Sequence, residues 1–168
     1  MQIRDIFERK QYVFLDGGMG TMLQAAGLPL GERPELLAIT RPDLLTSIHA
    51  AYIEAGSDIV YANTFGASAK KLEGTGHTVE ELVPAALECA RKAAEPAGAL
   101  VALDVGPLGE LLEPAGTLRF EDAYEYFAQI MRACGDKADV IVLETMTDLY
   151  EVKAALLAAK ENTDKPVI

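Results

Sequence analysis

Short apolar runs recur along the chain, and polar residues or glycines follow each of them at once. The runs have the length and the near-continuous hydrophobicity of strands that are buried on both faces of a sheet. They are Tyr12–Leu15, Ile59–Ala62, Leu100–Leu103 and Val140–Leu143, and a fifth begins at Pro166–Ile168. Longer amphipathic segments separate the runs, so the pattern predicts parallel strands that are joined by helices.

Apolar residues three and four positions apart predict the helices between these strands. Thr40 with Asp43 and Thr78 with Glu81 each resemble a capping box at a helix start. A two-proline stretch, 28–39, is predicted to be a loop. The predicted helices are Met19–Ala26, Thr40–Ala55, Thr78–Ala93, Ala123–Cys134 and Asp148–Glu161.

The polar residues that follow the strands decide between two parallel architectures. They are Asp16, then Asn63 and Thr64, then Asp104, then Glu144. A (β/α)8 barrel gathers all its strand ends at one mouth, whereas a doubly wound sheet uses one switch point. Leu23 also stands where a dinucleotide-binding motif needs its third glycine. The pattern therefore favours an α/β protein of the (β/α)8 TIM-barrel class.

The chain length is small for that fold. A complete barrel needs about 250 residues, and this chain has 168. We therefore predict that residues 1–168 are the N-terminal part of one barrel domain, with four βα units and the start of the fifth strand. Such a half barrel exposes two strand edges and an apolar face, so we expect it to self-associate.

The composition limits the kind of partner. Half of the residues are hydrophobic and the net charge is −11, which argues against a nucleic acid or an anionic membrane surface. A small molecule is the favoured partner. Two cysteines and no apolar leader or membrane-spanning run indicate a cytoplasmic protein without a disulfide framework.

The turn after the first strand is the strongest candidate binding feature. Gly17 and Gly18 permit a positive φ or a close approach, and they place Asp16 beside bare main-chain N–H groups. This corner suits a molecule that carries both an amine and a carboxylate. The alternatives are that Asp16 caps the next helix and that Glu144 only adds charge to a helix N-terminus.

Four motifs on successive strands together resemble the homocysteine S-methyltransferase family over the whole chain. Singly they are weak, but their order and strand-end placement both match. The likeness is greatest to the N-terminal homocysteine-binding domain of the cobalamin-dependent branch. The motifs are Asp16–Thr21, Ala62–Ala67, Asp104–Pro107 with Leu111–Pro114, and Leu143–Asp148.

The resemblance implies a (β/α)8 barrel that binds homocysteine and zinc at its strand ends and methylates the homocysteine thiol. Zinc would favour the thiolate, because a free thiol is mostly protonated at neutral pH. Methylcobalamin is the expected methyl donor, and cobalamin- and folate-binding domains on other domains or chains are the expected partners. The expected substrate-binding residues are Asp16 and Glu144 for the ammonium group, with Gly17, Gly18, Asn63, Thr64 and Asp104.

The expected metal ligands of the family are absent from the chain. The family holds zinc with three cysteines on later strands, which we expect beyond Ile168. Cys89 and Cys134 lie on apolar helix stripes and are predicted to be structural, and His49 and His77 are predicted to be solvated. We therefore expect no catalytic or metal-binding residue here, and an inactive fragment without stoichiometric zinc.

Two other interpretations stay open. Asp16 and Glu144 could serve as acid and base in another barrel enzyme that acts on a small amino or carbonyl compound. The chain could also be a non-catalytic half-barrel module that binds a partner. The residue types at the strand ends are compatible with each.

Overall fold

A parallel sheet forms the centre of the molecule. The structure is a computed structural model that describes residues 3–29 and 31–168. Strands β1 (Ile59–Tyr61), β2 (Leu100–Val105) and β3 (Val140–Leu143) pair in the order β1-β2-β3, so β2 is central. Sequence neighbours are therefore neighbours in the sheet, as helical crossovers between parallel strands require.

The first and fifth predicted strands are reduced to single bridges at the two edges. Leu15 pairs in parallel with Ile59, and Val167 pairs in parallel with Ile141. The Asp16 N–H donates to the Ile59 carbonyl at 3.1 Å. Each segment has a described pairing partner on one side only. The result is an open α/β sheet, and its closure into a barrel stays a prediction.

Helices follow each strand and supply most of the remaining regular structure. The α-helices in the described part of the chain are α1 (Ile3–Arg9), α2 (Met19–Ala25), α3 (Leu37–Thr40), α4 (Pro42–Glu54), α5 (Ala69–Leu72), α6 (Val79–Ala94), α7 (Phe120–Cys134) and α8 (Leu149–Asn162).

The segment before α4 differs from the prediction. The predicted loop over 28–39 contains a 3-10 turn at Pro34–Leu36 and the start of α3, and its residue 30 lies outside the described residues. The Thr40 capping box is wrong. Thr40 ends α3 and donates its hydroxyl to the Leu36 carbonyl at 3.1 Å, while Arg41 precedes α4 without a side-chain cap.

The second capping box is confirmed. The Glu81 N–H donates to the Thr78 hydroxyl, and the Thr78 N–H donates to the Glu81 carboxylate. These reciprocal bonds satisfy two N–H groups at the start of α6. They fix the beginning of the helix that covers β1 and β2.

The two faces of the sheet carry different clusters. Side chains alternate along a strand, so Val101 and Leu103 pack with the helices while Leu100 and Ala102 join a cluster with Ile3 and Ile6 of α1. Asp104 continues the row of Leu100 and Ala102. The alternation therefore directs this carboxyl away from the helix layer, toward the open face.

Candidate functional site

A cleft of about 520 Å³ lies at the carboxyl ends of the strands. Four acidic side chains line it, and the residues described along its walls include no lysine or arginine. These are Asp16, Glu35, Asp104 and Glu144. A second cleft, of about 660 Å³, is lined by residues such as Asp139 and Pro166, which precede strands, and by none of the predicted site residues.

Asp16 follows the first predicted strand, and its side chain is hydrogen-bonded to β1. Its Oδ2 accepts a hydrogen bond from the Tyr61 N–H at 3.0 Å. The helix-cap alternative is wrong, because Gly18 is the N-cap of α2 and no side chain caps that helix. Burial raises the pKa of Asp16 from 3.8 to about 6; the Tyr61 hydrogen bond opposes this rise and the Glu144 charge adds to it.

The glycine turn is shaped by close packing. A Cβ on Gly17 would lie 3.0 Å from the Tyr52 ring, and the Tyr52 hydroxyl donates to the Gly18 carbonyl at 3.2 Å. Neither glycine has a positive φ. Glycine is therefore needed here for the approach of Tyr52 from α4, and the main chain of the turn is left lining the cleft.

Thr64 supports Asp104 and does not line the cleft. Its hydroxyl donates to the Asp104 carbonyl at 2.7 Å and accepts from the Asp104 N–H at 3.1 Å. Both bonds hold the end of β1 against β2. Thr64 is one of the predicted substrate-binding residues, and its hydroxyl is occupied by the backbone of Asp104.

Asp104 is the most enclosed carboxyl group of the cleft. It is 8% exposed, and its Oδ1 has no hydrogen-bond partner. Burial is the largest cause that raises the pKa of Asp104 from 3.8 to about 8; the charges of Glu144, Asp16 and Glu35 contribute to this rise, and the charge of Lys71 opposes it. This environment favours the protonated form of the Asp104 carboxyl group.

Glu35 was missed by sequence reasoning. Asn63 donates its Nδ2–H to the Pro34 carbonyl at 2.7 Å, which fastens the 3-10 turn over the cleft. The Glu35 carboxylate then lies against Gly66, where a Cβ would be 2.3 Å from its Oε1. The available signal was an acidic residue inside an otherwise apolar segment, at 34–39.

Tyr61 was also missed. It lines the cleft, and strand alternation places it on the face that Ile59 shares with α1. Burial raises its pKa to about 12, with contributions from the charges of Glu144, Asp104 and Asp16. The period-two pattern of β1 could have identified it.

Glu144 reaches the cleft from the end of β3. Its N–H donates to the Val105 carbonyl at 3.1 Å. The helix-charge alternative is not supported, because Asp148 caps α8 by accepting from the Tyr150 N–H at 2.8 Å. The next residue, Thr145, has φ of 58°, a strained conformation for a β-branched residue at the mouth of the site.

The side chains considered as metal ligands lie elsewhere. Cys89 and Cys134 are buried on α6 and α7. His49 is fully buried, so the prediction of a solvated side chain is wrong: its position on α4 turns inward, and neither ring nitrogen has a partner. His77 is partly exposed beside Glu81, at 3.5 Å.

Within residues 3–29 and 31–168, no three histidine, cysteine, aspartate or glutamate side chains are arranged to hold a metal ion. A zinc site therefore does not fit the donors that the described chain supplies. Separately, the helices described here are all too short or too polar to cross a membrane.

Comparison with known proteins gives matches to sequence relatives, to solved structures and to a family model. The chain is 37% identical over 161 residues to a methionine synthase of Mycobacterium tuberculosis (strain ATCC 25618 / H37Rv), and 35% identical to that of Mycobacterium leprae (strain TN). Each match covers 86% of this chain and only 13% of the relative.

The fold is similar to that of the homocysteine methyltransferase MmuM from Escherichia coli. The metallated form matches with a TM-score of 0.86 at 23% identity, covering 98% of this chain and 64% of the other. The apo form matches with a TM-score of 0.73. The model of the homocysteine S-methyltransferase family matches residues 13–168. The chain therefore belongs to the homocysteine S-methyltransferase family.

Proposed function

We propose that this chain is the substrate-binding part of a homocysteine S-methyltransferase and holds the amino-acid end of homocysteine in the cleft. The observation that carries the proposal is the convergence of Asp16, Asp104 and Glu144, from three strand ends, on one cleft beside the Gly17-Gly18 turn. A cleft with acidic side chains and no basic ones along its described walls favours an ammonium group.

Each end of an amino acid has a partner in this arrangement. The carboxylates of Asp16 and Glu144 receive the ammonium group, because charge-assisted hydrogen bonds are strongest in a partly desolvated site. The main chain of Gly17 and Gly18 offers N–H groups to the substrate carboxylate. Asn63 and Thr64 act indirectly, since their side chains hold Pro34 and Asp104 in place.

Methyl transfer to the thiol is proposed from family membership and from the names of the relatives. The chain spans 13% of the length of the methionine synthases that it matches. We propose that methylcobalamin is the donor, and that cobalamin- and folate-binding domains or proteins present it to the cleft. The part of the chain described here positions the acceptor.

Zinc, when bound, supplies stabilisation of the homocysteine thiolate. The donors described in this chain do not form a site for it, so we propose that cysteines outside the chain hold the metal. We therefore expect this chain alone to bind the amino acid without methylating it.

Substitution of the two carboxylates tests the binding role. Asp16→Asn and Glu144→Gln remove one charge each while keeping the side-chain shape, so each should weaken L-homocysteine binding roughly ten- to a hundredfold. Isothermal titration calorimetry on the 168-residue chain measures this. Glu54→Gln, an exposed change at the end of α4, is the matched control and should bind like the wild type.

A ligand without the amine tests how much the ammonium group contributes to binding. 4-Mercaptobutanoate lacks the ammonium group, so it should bind weakly and equally to the wild type and to both variants. Equal affinity of the wild type for homocysteine and this analogue would contradict the proposed ammonium site. Unchanged homocysteine affinity in both variants would contradict the roles of Asp16 and Glu144.

A further inference from the structure

The cleft contains more acidic groups than one ammonium ion can neutralise. Asp16 and Glu144 are assigned to the ammonium group by the proposed function, but Glu35 and Asp104 line the same walls. Asp104 is over nine-tenths buried, and its Oδ1 lacks a hydrogen-bond partner. A buried carboxylate oxygen without a hydrogen-bond partner is energetically unfavourable. Another feature of the site must therefore offset this cost.

The surroundings of Asp104 are acidic on almost every side. Asp16 faces it from the first strand position, Glu35 from the 3-10 turn, and Glu144 from the end of β3, while Tyr61 of β1 is near all three site carboxylates. Among the described residues, Lys71 of α5 is the cationic group whose charge acts on Asp104.

Lys71 does not neutralise Asp104 directly. Its Nζ lies 5.0 Å from the centre of the Phe65 ring, and Glu35 and Glu151 share its charge. No ion pair within 4.0 Å joins it to a cleft carboxylate among the described residues. The positive charge near Asp104 is thus divided among several acidic groups.

Protonation resolves this arrangement in the absence of a ligand. The four carboxyl groups of the cleft repel one another when all are ionised, and protonation of the most enclosed one reduces this repulsion. The raised pKa of Asp104, about 8, agrees with this geometry. A bound cation changes the balance, because it supplies the missing positive charge.

We propose that Asp104 stores one proton in the ligand-free cleft and releases it when an organic ammonium group binds. This inference rests on the proposed function, which places an amino acid in the cleft. The O–H bond of the Asp104 carboxyl breaks, the proton passes to a buffer base, and the ligand amine stays protonated. The negative charge that Asp104 gains is balanced by the positive charge of the ligand ammonium group.

The exchange predicts a pH-dependent affinity. Because one proton leaves for each ligand bound, affinity should rise by about tenfold for each pH unit between pH 6 and pH 7, and should level off above about pH 8. In Asp104→Asn most of this dependence should disappear, since the amide has no proton to release; what is left is the smaller contribution of Asp16, whose pKa is about 6. A purely structural role for Asp104 would change affinity without changing its slope with pH.

The stored proton is measured first, without a ligand. Carbon-13 NMR of aspartate-labelled chain should show one carboxyl group that titrates far above the ordinary aspartate range, and Asp104→Asn should remove that signal. Glu35→Gln should lower its midpoint by removing one neighbouring charge. A wild-type spectrum in which every aspartate titrates below pH 6.5 would overturn the stored proton.

The exchange is measured with L-methionine, whose thioether cannot release a proton. Calorimetry at pH 7 in phosphate and in Tris, which differ in protonation enthalpy, should give close to one proton released per molecule bound to the wild type. Glu54→Gln should release the same number and Asp104→Asn close to none. Binding to the wild type without proton release would overturn the exchange.

The two proposals fail differently. If neither L-methionine nor L-homocysteine binds while the high aspartate titration is present, the proposed function and the exchange that rests on it are overturned, and the stored proton stands. If both bind and no proton is released, the exchange is overturned and the proposed function stands.

Discussion

At the scale of single residues, two buried titratable side chains in the described part of the chain have polar atoms without hydrogen-bond partners. Asp104 has one such atom and His49 has two. Their positions differ, because Asp104 lines the cleft and His49 lies on α4, outside it. Burial without a partner is unfavourable at both positions, and only Asp104 lies where the proposed ligand could compensate for it.

His49→Leu should stabilise the fold. Burial lowers the pKa of His49 from 6.5 to about 4, so the unfolded chain takes up a proton that the folded chain cannot accept. The destabilisation caused by His49 is therefore smallest above pH 6.5 and grows as the pH falls from 6.5 toward 4. We expect the variant to gain roughly 1–3 kcal/mol at pH 7, and more at pH 4, by urea unfolding.

The control for this prediction is His77→Gln, in a side chain that is partly exposed. It should change the free energy of unfolding at pH 7 by less than about 0.5 kcal/mol. A constant difference between His49→Leu and the wild type from pH 7 to pH 4 would show that the His49 pKa is not lowered in the folded state.

At the scale of elements, a tight main-chain contact in the connection between β2 and α7 requires a glycine at Gly116. A Cβ on Gly116 would lie 2.1 Å from the Leu111 carbonyl oxygen, which is main chain and cannot rotate away. The Gly116 N–H also donates to the Leu112 carbonyl at 2.8 Å. This loop is held to α8 through Glu151, which accepts from the Leu108 N–H at 2.7 Å.

Gly116→Ala should therefore lower the free energy of unfolding by roughly 1–3 kcal/mol, because the loop must shift to relieve the clash. Gly20→Ala is the matched control, since its Cβ would meet nothing within 4 Å and Gly20 lies in helix α2. It should be neutral or stabilising by about 0.5–1 kcal/mol. Equal effects of the two substitutions, by thermal unfolding, would contradict the contact.

At the scale of the whole molecule, apolar side chains are exposed at the edges of the sheet and along one helix. Phe14 beside the first edge is 60% exposed and Ile168 beside the other is 54% exposed. Leu149, Leu156 and Leu157 of α8 are also exposed, and Leu149 and Leu156, seven positions apart, share one side of the helix. These surfaces have the character of faces that another element covers.

The isolated chain should accordingly self-associate as its concentration rises, which light scattering after size-exclusion chromatography measures. Changing both Leu156 and Leu157 to lysine should reduce the association, because charge on the exposed α8 face opposes apolar contact. Lys153→Gln on the same helix is the control and should associate like the wild type. A monodisperse monomer at all concentrations would contradict the half-barrel interpretation.

The local pattern of the sequence determined the order of strands and helices and the polar residue at each strand end. These features depend on spacing within a few residues, so the parallel sheet and the shared mouth of Asp16, Asp104 and Glu144 could be predicted. The cap at Thr78 was predictable for the same reason. The position of Thr40 at the end of α3 was not, because the four residues of α3 are too few to show a helical repeat of apolar positions.

Only the tertiary structure decided which side chains reach the cleft and which are used elsewhere. Glu35 enters because Asn63 holds the Pro34 carbonyl and Gly66 leaves room, whereas the Thr64 hydroxyl is taken by the Asp104 backbone. His49 is buried by helices distant in the chain. Such outcomes depend on contacts between residues about 30 or more positions apart, on which a local pattern carries no information.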